Sequence, residues 1–206
     1  MNPKTRQIIE QVRKLYHRYG IKSVTMDDAA SHLGVSKKTL YEHFRDKEDL
    51  VHAVLMQEHD NHYSFLDKIE GRELNAIEEM FEVYKMINAM YKDYNPSMVY
   101  DVRKYYPGLF SRLKEIRRRR MYDSALNNMN KGKNEGLYRK ELDSAIIAKL
   151  HVFRIESLFD NDMFTQEELT SFTMFHEIFV YHVYGILSHE GRLFFEANFD
   201  KFKATL

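Results

Sequence analysis

Hydrogen-bonding side chains are concentrated in one short segment, "GVSKKTLYEHFRDKEDL", residues 34–50. If residues 37 to about 44 form a helix, the i, i+4 spacing of Leu40 and Phe44 places both on one face, where they can anchor it. At 100° per residue, the opposite face carries only donors and acceptors. It comprises Lys38, Thr39, Glu42 and Arg45, flanked by Tyr41 and His43. Such a face suits a polar partner.

The sign of the charge at the start of this helix points to an anionic partner. Lys37 and Lys38 stand in the first turn, where the positive end of the helix dipole disfavours each by a few tenths of a kcal/mol. A nearby phosphate would reverse that sign. Ser36 is well placed to cap the helix.

Two preceding helices must position this segment. One is predicted over residues 4–19, ending at Gly20, and the next follows Thr25 as N-cap with Asp28 three residues on. Gly34 ends this second helix after about two turns. Two short helices joined by a tight glycine turn predict a helix-turn-helix, whose second helix enters the DNA major groove. A surface helical hairpin with a solvated charged face is the alternative on geometry alone.

The residue types in this segment are evidence for DNA binding in addition to its predicted geometry. Residues 25–50, "TMDDAASHLGVSKKTLYEHFRDKEDL", resemble the DNA-binding signature of the TetR family of bacterial transcription regulators in order and spacing. The resemblance implies a role for each matching position. Thr25 and Lys47 would contact phosphate, Tyr41 and His43 would contact the backbone or base edges, and the residues that would approach the groove are Ser36, Lys37, Lys38 and Thr39.

Two positions in this segment depart from the commonest family pattern. Lys38 stands where many relatives have a small residue, and Glu42 where many have an aromatic or polar one. Lys38 could read guanine and Glu42 could accept from cytosine N4. Alternatively, Glu42 pairs with Lys38 or Arg45 and Lys38 contacts phosphate, and this second interpretation is the one we favour from the sequence.

Helical spacing continues to the end of the chain, so an all-α fold is predicted. A long helix from Lys47 to about Ile69 has a polar middle, which is typical of a connector between two packed bodies. We therefore expect a helix-turn-helix domain at residues 1–46 and a helical regulatory and dimerisation domain at 47–206. Further helices are predicted near residues 73–92, 97–105, 109–131, 142–159, 167–188 and from about 191.

Composition excludes several classes of protein. Lysine plus arginine equal aspartate plus glutamate at 31 each, although residues 1–50 carry ten basic and seven acidic side chains. Without cysteine there is no disulfide scaffold, thiolate zinc site or cysteine nucleophile. No apolar run is long enough for a membrane span, and no signal peptide is recognisable, so we expect a cytoplasmic protein. No phosphate loop, nucleophile elbow or zinc-protease motif is present, so we expect no enzyme activity, cofactor or metal.

Two late segments are apolar on nearly every face, "AIIAKLHVFRIESLF" and "FTMFHEIFVYHVYGIL". Such helices must be covered all round, either inside a monomeric bundle or in an interface. The resemblance favours a four-helix dimer interface, a small-molecule effector of unknown identity and unknown ligand-binding residues. It predicts a homodimeric, ligand-responsive repressor that binds a pseudo-palindromic double-stranded DNA operator. The alternative is a helical binding or assembly protein that keeps the fold without DNA recognition.

Overall fold

The computed structural model describes residues 2–70, 72–92, 96–157, 163–165, 167–168 and 171–203. Within them the chain forms ten α-helices and one isolated antiparallel bridge, between Tyr138 and Leu187, which confirms the all-α prediction. The helices are α1 (Pro3–Tyr19), α2 (Met26–Leu33), α3 (Lys37–His43), α4 (Lys47–Glu70), α5 (Ala76–Lys92), α6 (Pro96–Tyr105), α7 (Pro107–Asn134), α8 (Ser144–Ser157), α9 (Phe172–Ile186) and α10 (His189–Lys203).

The helices pack into two compact units. The first comprises Met1–Ser64 with Tyr94–Ile116, and the second Phe65–Asp93 with Arg117–Leu206. The sequence predicts that a DNA-binding domain ends at residue 46 and that a regulatory domain begins at residue 47. This boundary separates two functions, and it stays a prediction.

The core of the first unit joins the three N-terminal helices to the first half of α4 and to α6. Val12, Leu40, Val51 and Val54 are completely buried in it, and Val102 of α6 is 5% exposed. Because α6 is far away in the sequence, its packing against this unit could not be read from local spacing. The helix-turn-helix is therefore supported by a wider scaffold than residues 1–46 alone.

The helical spacing of apolar residues in α1 predicts one buried stripe of Ile8, Val12, Leu15, Tyr16 and Tyr19, and one member of this stripe is exposed. Ile8, Val12, Leu15 and Tyr16 are buried as their spacing predicts, but Tyr19 is 53% exposed. Tyr19 is the last residue of the helix, beyond the turns that pack into the core, and the guanidinium of Arg18 lies 5.2 Å from its ring centroid.

Aromatic side chains dominate the core of the second unit. The Phe179 ring lies 4.2 Å from that of Tyr84 and 5.8 Å from that of Phe81, centroid to centroid, which joins α9 to α5. Phe195 of α10 packs 6.4 Å from the same ring. The separations of 5.8 and 6.4 Å are within the range of favourable aromatic pairs, and the Tyr84 ring lies closer still.

A buried tyrosine follows α7 and fixes the turn after it. The Tyr138 hydroxyl lies 3.0 Å from the Ala76 carbonyl oxygen and 2.9 Å from Oδ1 of Asn128, so its polar group is satisfied. A Cβ on Gly132 would overlap the Tyr138 ring. Glycine in the last turns of α7 is therefore required by this close approach.

Helix ends differ from the prediction by a few residues where a capping side chain decides. The amide of Ile146 donates to Oδ1 of Asp143 at 3.0 Å, so α8 begins at Ser144 rather than at residue 142. Ser171 caps α9 through the amide of Met174, so that helix begins at Phe172 and not near 167. No described helix is long and apolar enough to cross a membrane.

Candidate nucleic-acid interface

The turn between α2 and α3 has the geometry that the glycine predicts. Gly34 is left-handed, with φ 65° and ψ 27°, and its amide bonds the Ser31 carbonyl at 3.1 Å. The Val35 amide reaches back to the Ala30 carbonyl at 3.1 Å. Ala29 and Ala30 are buried, and because their side chains are small another helix can pack closely against this face of α2. α2, turn and α3 therefore form a helix-turn-helix.

Two anchors fix α3 to the core and leave its other face free. Leu40 is fully buried and Phe44, which caps the helix, is 4% exposed. Of the predicted outer face, Lys38 and Glu42 are exposed and Thr39 is half-buried, while Tyr41 on the flank is exposed as well. The helix therefore presents charged and hydrogen-bonding groups to solvent.

Thr25 caps α2 in a reciprocal arrangement with Asp28. The Asp28 amide donates to Oγ1 of Thr25 at 3.1 Å, and the Thr25 amide and hydroxyl donate to Oδ2 of Asp28 at 2.9 and 2.6 Å. These bonds lower the pKa of the Asp28 carboxyl. Because the Thr25 hydroxyl is already satisfied within the chain, a phosphate would have to compete with Asp28 for it.

The first turn of α3 is held by Ser36 and Lys37. Ser36 is the N-cap, its Oγ accepting from the Thr39 amide at 3.0 Å. The Nζ of Lys37 lies 2.7 Å from Oδ1 of Asp27 at the start of α2, in an exposed ion pair that raises the pKa of the lysine. This pair offsets the unfavourable position of Lys37 at the positive end of the helix.

Lys38 and Glu42 form no ion pair with each other or with any other described residue. Arg45 pairs with Asp49 instead, with 3.5 Å between Nη2 and Oδ1. The intrahelical pairing favoured from the sequence is therefore not formed. Both side chains are exposed one helical turn apart and are available to an external partner.

Tyr41 and His43 differ in how free they are. Tyr41 is 43% exposed. His43 is partly covered, and its Nδ1 lies 2.9 Å from the hydroxyl of Thr5 on α1. This bond uses one ring nitrogen and fixes the ring orientation, so any outward contact by His43 has to use Nε2.

Lys47 begins α4 and is tied to the turn before α2. Its Nζ donates to the Lys22 carbonyl at 3.0 Å, and burial lowers its pKa while the carboxylates of Asp101 and Asp28 oppose that shift. One of its three ammonium hydrogens is used, so two remain for a phosphate.

The α6 side chains that support this turn had no signal in the local sequence pattern. Oδ2 of Asp101 accepts from the Lys22 amide at 2.9 Å, and the Lys22 ammonium donates to the Tyr105 hydroxyl at 2.7 Å. Gly20, with φ 80°, lies so close that a Cβ would stand 3.2 Å from Oδ2 of Asp101. These contacts join residues about 80 positions apart in the sequence, and such separations have no local signal.

Comparison with known proteins agrees with this geometry. Residues 8–54 match the family model for bacterial regulatory proteins of the tetR family. An HTH-type transcriptional regulator of Staphylococcus aureus (strain USA300) is 39% identical over 56 residues, which is 27% of this chain and 30% of the relative. The matched segment thus spans less than a third of that relative.

Solved structures extend the likeness to nearly the whole chain at the level of fold. A transcriptional regulator from Cytophaga hutchinsonii has a TM-score of 0.76 at 19% identity, covering 91% of this chain and all of that one. The TetR family protein CprB from Streptomyces coelicolor, solved with its biological operator sequence, has a TM-score of 0.65 at 20% identity, with 98% of both chains covered. Residues 8–54 thus match the helix-turn-helix segment of bacterial regulatory proteins of the tetR family, and the chain as a whole shares the fold of these solved regulators.

Proposed function

We propose that this protein is a transcriptional regulator that binds a pseudo-palindromic operator as a homodimer and represses until a small-molecule effector binds. The observation that carries the proposal is α3 itself. Leu40 and Phe44 fix it to the core, while Lys38, Tyr41 and Glu42 face solvent. A helix held this way after a glycine turn has the shape and the donors that the major groove accepts.

The cations around α3 support contact with a phosphate backbone. Lys37, Lys38 and Lys47 are all within or next to the helix, and Ser36, Thr39 and Tyr41 add hydroxyl groups. Thr25 and His43 complete the proposed contact set, each already positioned by a partner inside the chain. In this arrangement Lys37, Lys47 and the hydroxyls set affinity and register, and base edges are read by Lys38 and Glu42.

In this proposal the second unit binds a second copy of this chain. Ile146, Leu150 and Phe153 of α8 are 55%, 56% and 69% exposed, and their i, i+4, i+7 spacing makes them one apolar stripe. Tyr181 of α9 adds an aromatic side chain that is 79% exposed. Apolar surface of this kind is typical of an interface between subunits.

The effector belongs to the second unit in this proposal. By binding one dimer geometry more tightly than another, a ligand would shift the population away from the arrangement whose two α3 helices match successive major grooves. No covalent chemistry is involved.

The test is binding to the DNA upstream of the protein's own gene, measured by fluorescence anisotropy between 50 and 300 mM salt. We expect log K to fall linearly and steeply with log salt, because several phosphates are neutralised on each duplex. A flat profile, or equal failure to bind this duplex and a shuffled one, would contradict the proposal. Transcription in vitro from the same promoter then distinguishes repression from activation.

A further inference from the structure

An arginine and two histidines meet between α8 and α9 without any acidic partner among the residues that the structure describes. Nη2 of Arg154 lies 3.3 Å from Nδ1 of His151. The His151 ring lies 4.6 Å from the His182 ring, centroid to centroid. We call these three side chains the α8–α9 basic cluster.

The charge of Arg154 is poorly compensated. Burial lowers the pKa of its guanidinium, and the nearby hydroxyl of Tyr181 opposes that shift. Its Nε is buried and has no hydrogen-bond partner within the described part of the chain. Because burying a charge without a counter-ion is costly, such an arginine is a candidate anion ligand.

Each of the two histidines adds an N–H donor to the cluster. Arginine always donates, so Nδ1 of His151 must accept from Arg154, and the ring proton of His151 is then on Nε2. Burial and the Arg154 charge lower the pKa of His151 to about 4. Burial, His151 and Arg154 also lower the pKa of His182 well below its usual value. At neutral pH both rings are uncharged, and each has one N–H to offer.

From this geometry we propose that the α8–α9 basic cluster binds the carboxylate of a small-molecule ligand. A carboxylate accepts two parallel bonds from a guanidinium and further bonds from imidazole N–H groups, which is the donor set present here. It would neutralise Arg154 and satisfy Nε. Its role as the effector site rests on the proposed function, since the proposal names the chemical class of that effector.

The charge of the ligand is tested without DNA by comparing hexanoate with hexanamide, which has the same shape and no charge. Binding to the full-length protein is followed by calorimetry and by NMR of the histidine rings. We expect hexanoate to bind at least about tenfold more tightly than hexanamide, because the hydrogen bonds to Arg154 are charge-assisted. A bound carboxylate also raises the pKa of His151 above its value in the free protein.

Substitutions test which residues of the α8–α9 basic cluster bind the carboxylate. Arg154→Gln should lose at least about tenfold in hexanoate affinity, whereas Arg119→Gln, at an exposed arginine of α7 in the same unit, should bind as the wild type does. If Arg154→Gln folds poorly, two other measurements still test the proposal. They are the hexanoate affinity of His182→Gln and the comparison of hexanoate with hexanamide on the wild type. Equal binding of the two ligands, or an unchanged His151 titration, would overturn the proposal.

A carboxylate supplied by a second copy is distinguished by the oligomeric state. If Arg154→Gln dissociates the dimer in sedimentation while neither ligand binds the wild type, the cluster is a subunit contact and the small-molecule proposal is wrong. Because every one of these measurements omits DNA, failure of the carboxylate site and failure of DNA binding are read separately.

Discussion

The Nζ of Lys47 lies 3.0 Å from the carbonyl oxygen of Lys22, which ties the first residue of α4 to the turn before α2. Because Asp101 of α6 holds the amide of the same Lys22 at 2.9 Å, three elements meet at this turn. The lysine proposed to contact phosphate is therefore held in place before DNA arrives.

Lys47→Ala is expected to weaken binding to all DNA sequences about equally, because the contact is to phosphate. The slope of log K against log salt should become shallower by about 0.9, the value for one phosphate contact. The control is Lys68→Ala, an exposed lysine at the other end of α4. An unchanged slope in Lys47→Ala would remove this residue from the proposed interface.

Lys38 and Glu42 are expected to read bases, since both are exposed on α3 and neither is paired within the described chain. Lys38→Ala should relax a preference for guanine and Glu42→Gln a preference for cytosine, each discrimination being about 1–3 kcal/mol. Selection from a randomised duplex library measures this for each variant. Glu48→Gln, an exposed acid on α4, should select the wild-type sequence, and identical sequences from all the proteins would mean that neither residue reads bases.

Gly20→Ala is expected to destabilise the first unit more than Gly34→Ala. Both glycines have positive φ, but Gly20 has the more restricted conformation, at φ 80° and ψ 152°, and faces Asp101. We expect about 1–3 kcal/mol for Gly20→Ala and about 1–2 kcal/mol for Gly34→Ala, measured by urea unfolding. Because Asp101→Ala itself loses the bond to the Lys22 amide, the two changes are compared in a double-mutant cycle, in which Gly20→Ala should cost less in the Asp101→Ala background if the close approach contributes.

The capping pair of Thr25 and Asp28 predicts a dependence of stability on pH. The pKa of Asp28 is lowered in the folded state by its bonds to Thr25, so its contribution is present above the unfolded pKa and is lost as pH falls through the folded pKa. Wild type should therefore exceed Asp28→Ala in unfolding free energy at pH 7, and the difference should shrink on acidification below about pH 4. In a Thr25→Ala background the same comparison should show a smaller pH dependence.

Leu150→Glu is expected to dissociate the proposed dimer while leaving the second unit folded, because the residue lies in the centre of the exposed stripe of α8. A charge at the centre of an apolar interface should raise the dimer dissociation constant at least about tenfold. Sedimentation equilibrium measures the constant and circular dichroism reports folding. Lys149→Glu, at an exposed neighbour outside the stripe, should remain dimeric; a dimer that survives Leu150→Glu would place the interface elsewhere.

Local sequence patterns were sufficient to predict much of the helix-turn-helix. The cap at Thr25, the turn at Gly34, the cap at Ser36 and the anchors Leu40 and Phe44 are all as predicted, because each depends on neighbours within a few residues. Charge pairing was less predictable. Lys37 pairs with Asp27 across two helices, whereas Lys38 and Glu42, at ideal spacing on one helix, do not pair.

Contacts between distant segments had no such signal. The bond from Lys22 to Asp101 and the contact between the rings of His151 and His182 depend on how helices pack, which the spacing within one helix does not determine. The apolar character of α8 and α9 was evident from the sequence. That Phe153 would be 69% exposed, rather than buried in a monomer, required the structure.

Gly132 and Tyr138 limit how this chain can diverge. The ring of Tyr138 occupies the space that a side chain at position 132 would need, and its hydroxyl is bonded to the backbone of Ala76. A larger residue at position 132 is therefore accessible only after a smaller one has replaced the tyrosine, at the cost of a buried hydrogen bond. Across descendants of this sequence, the two positions should covary.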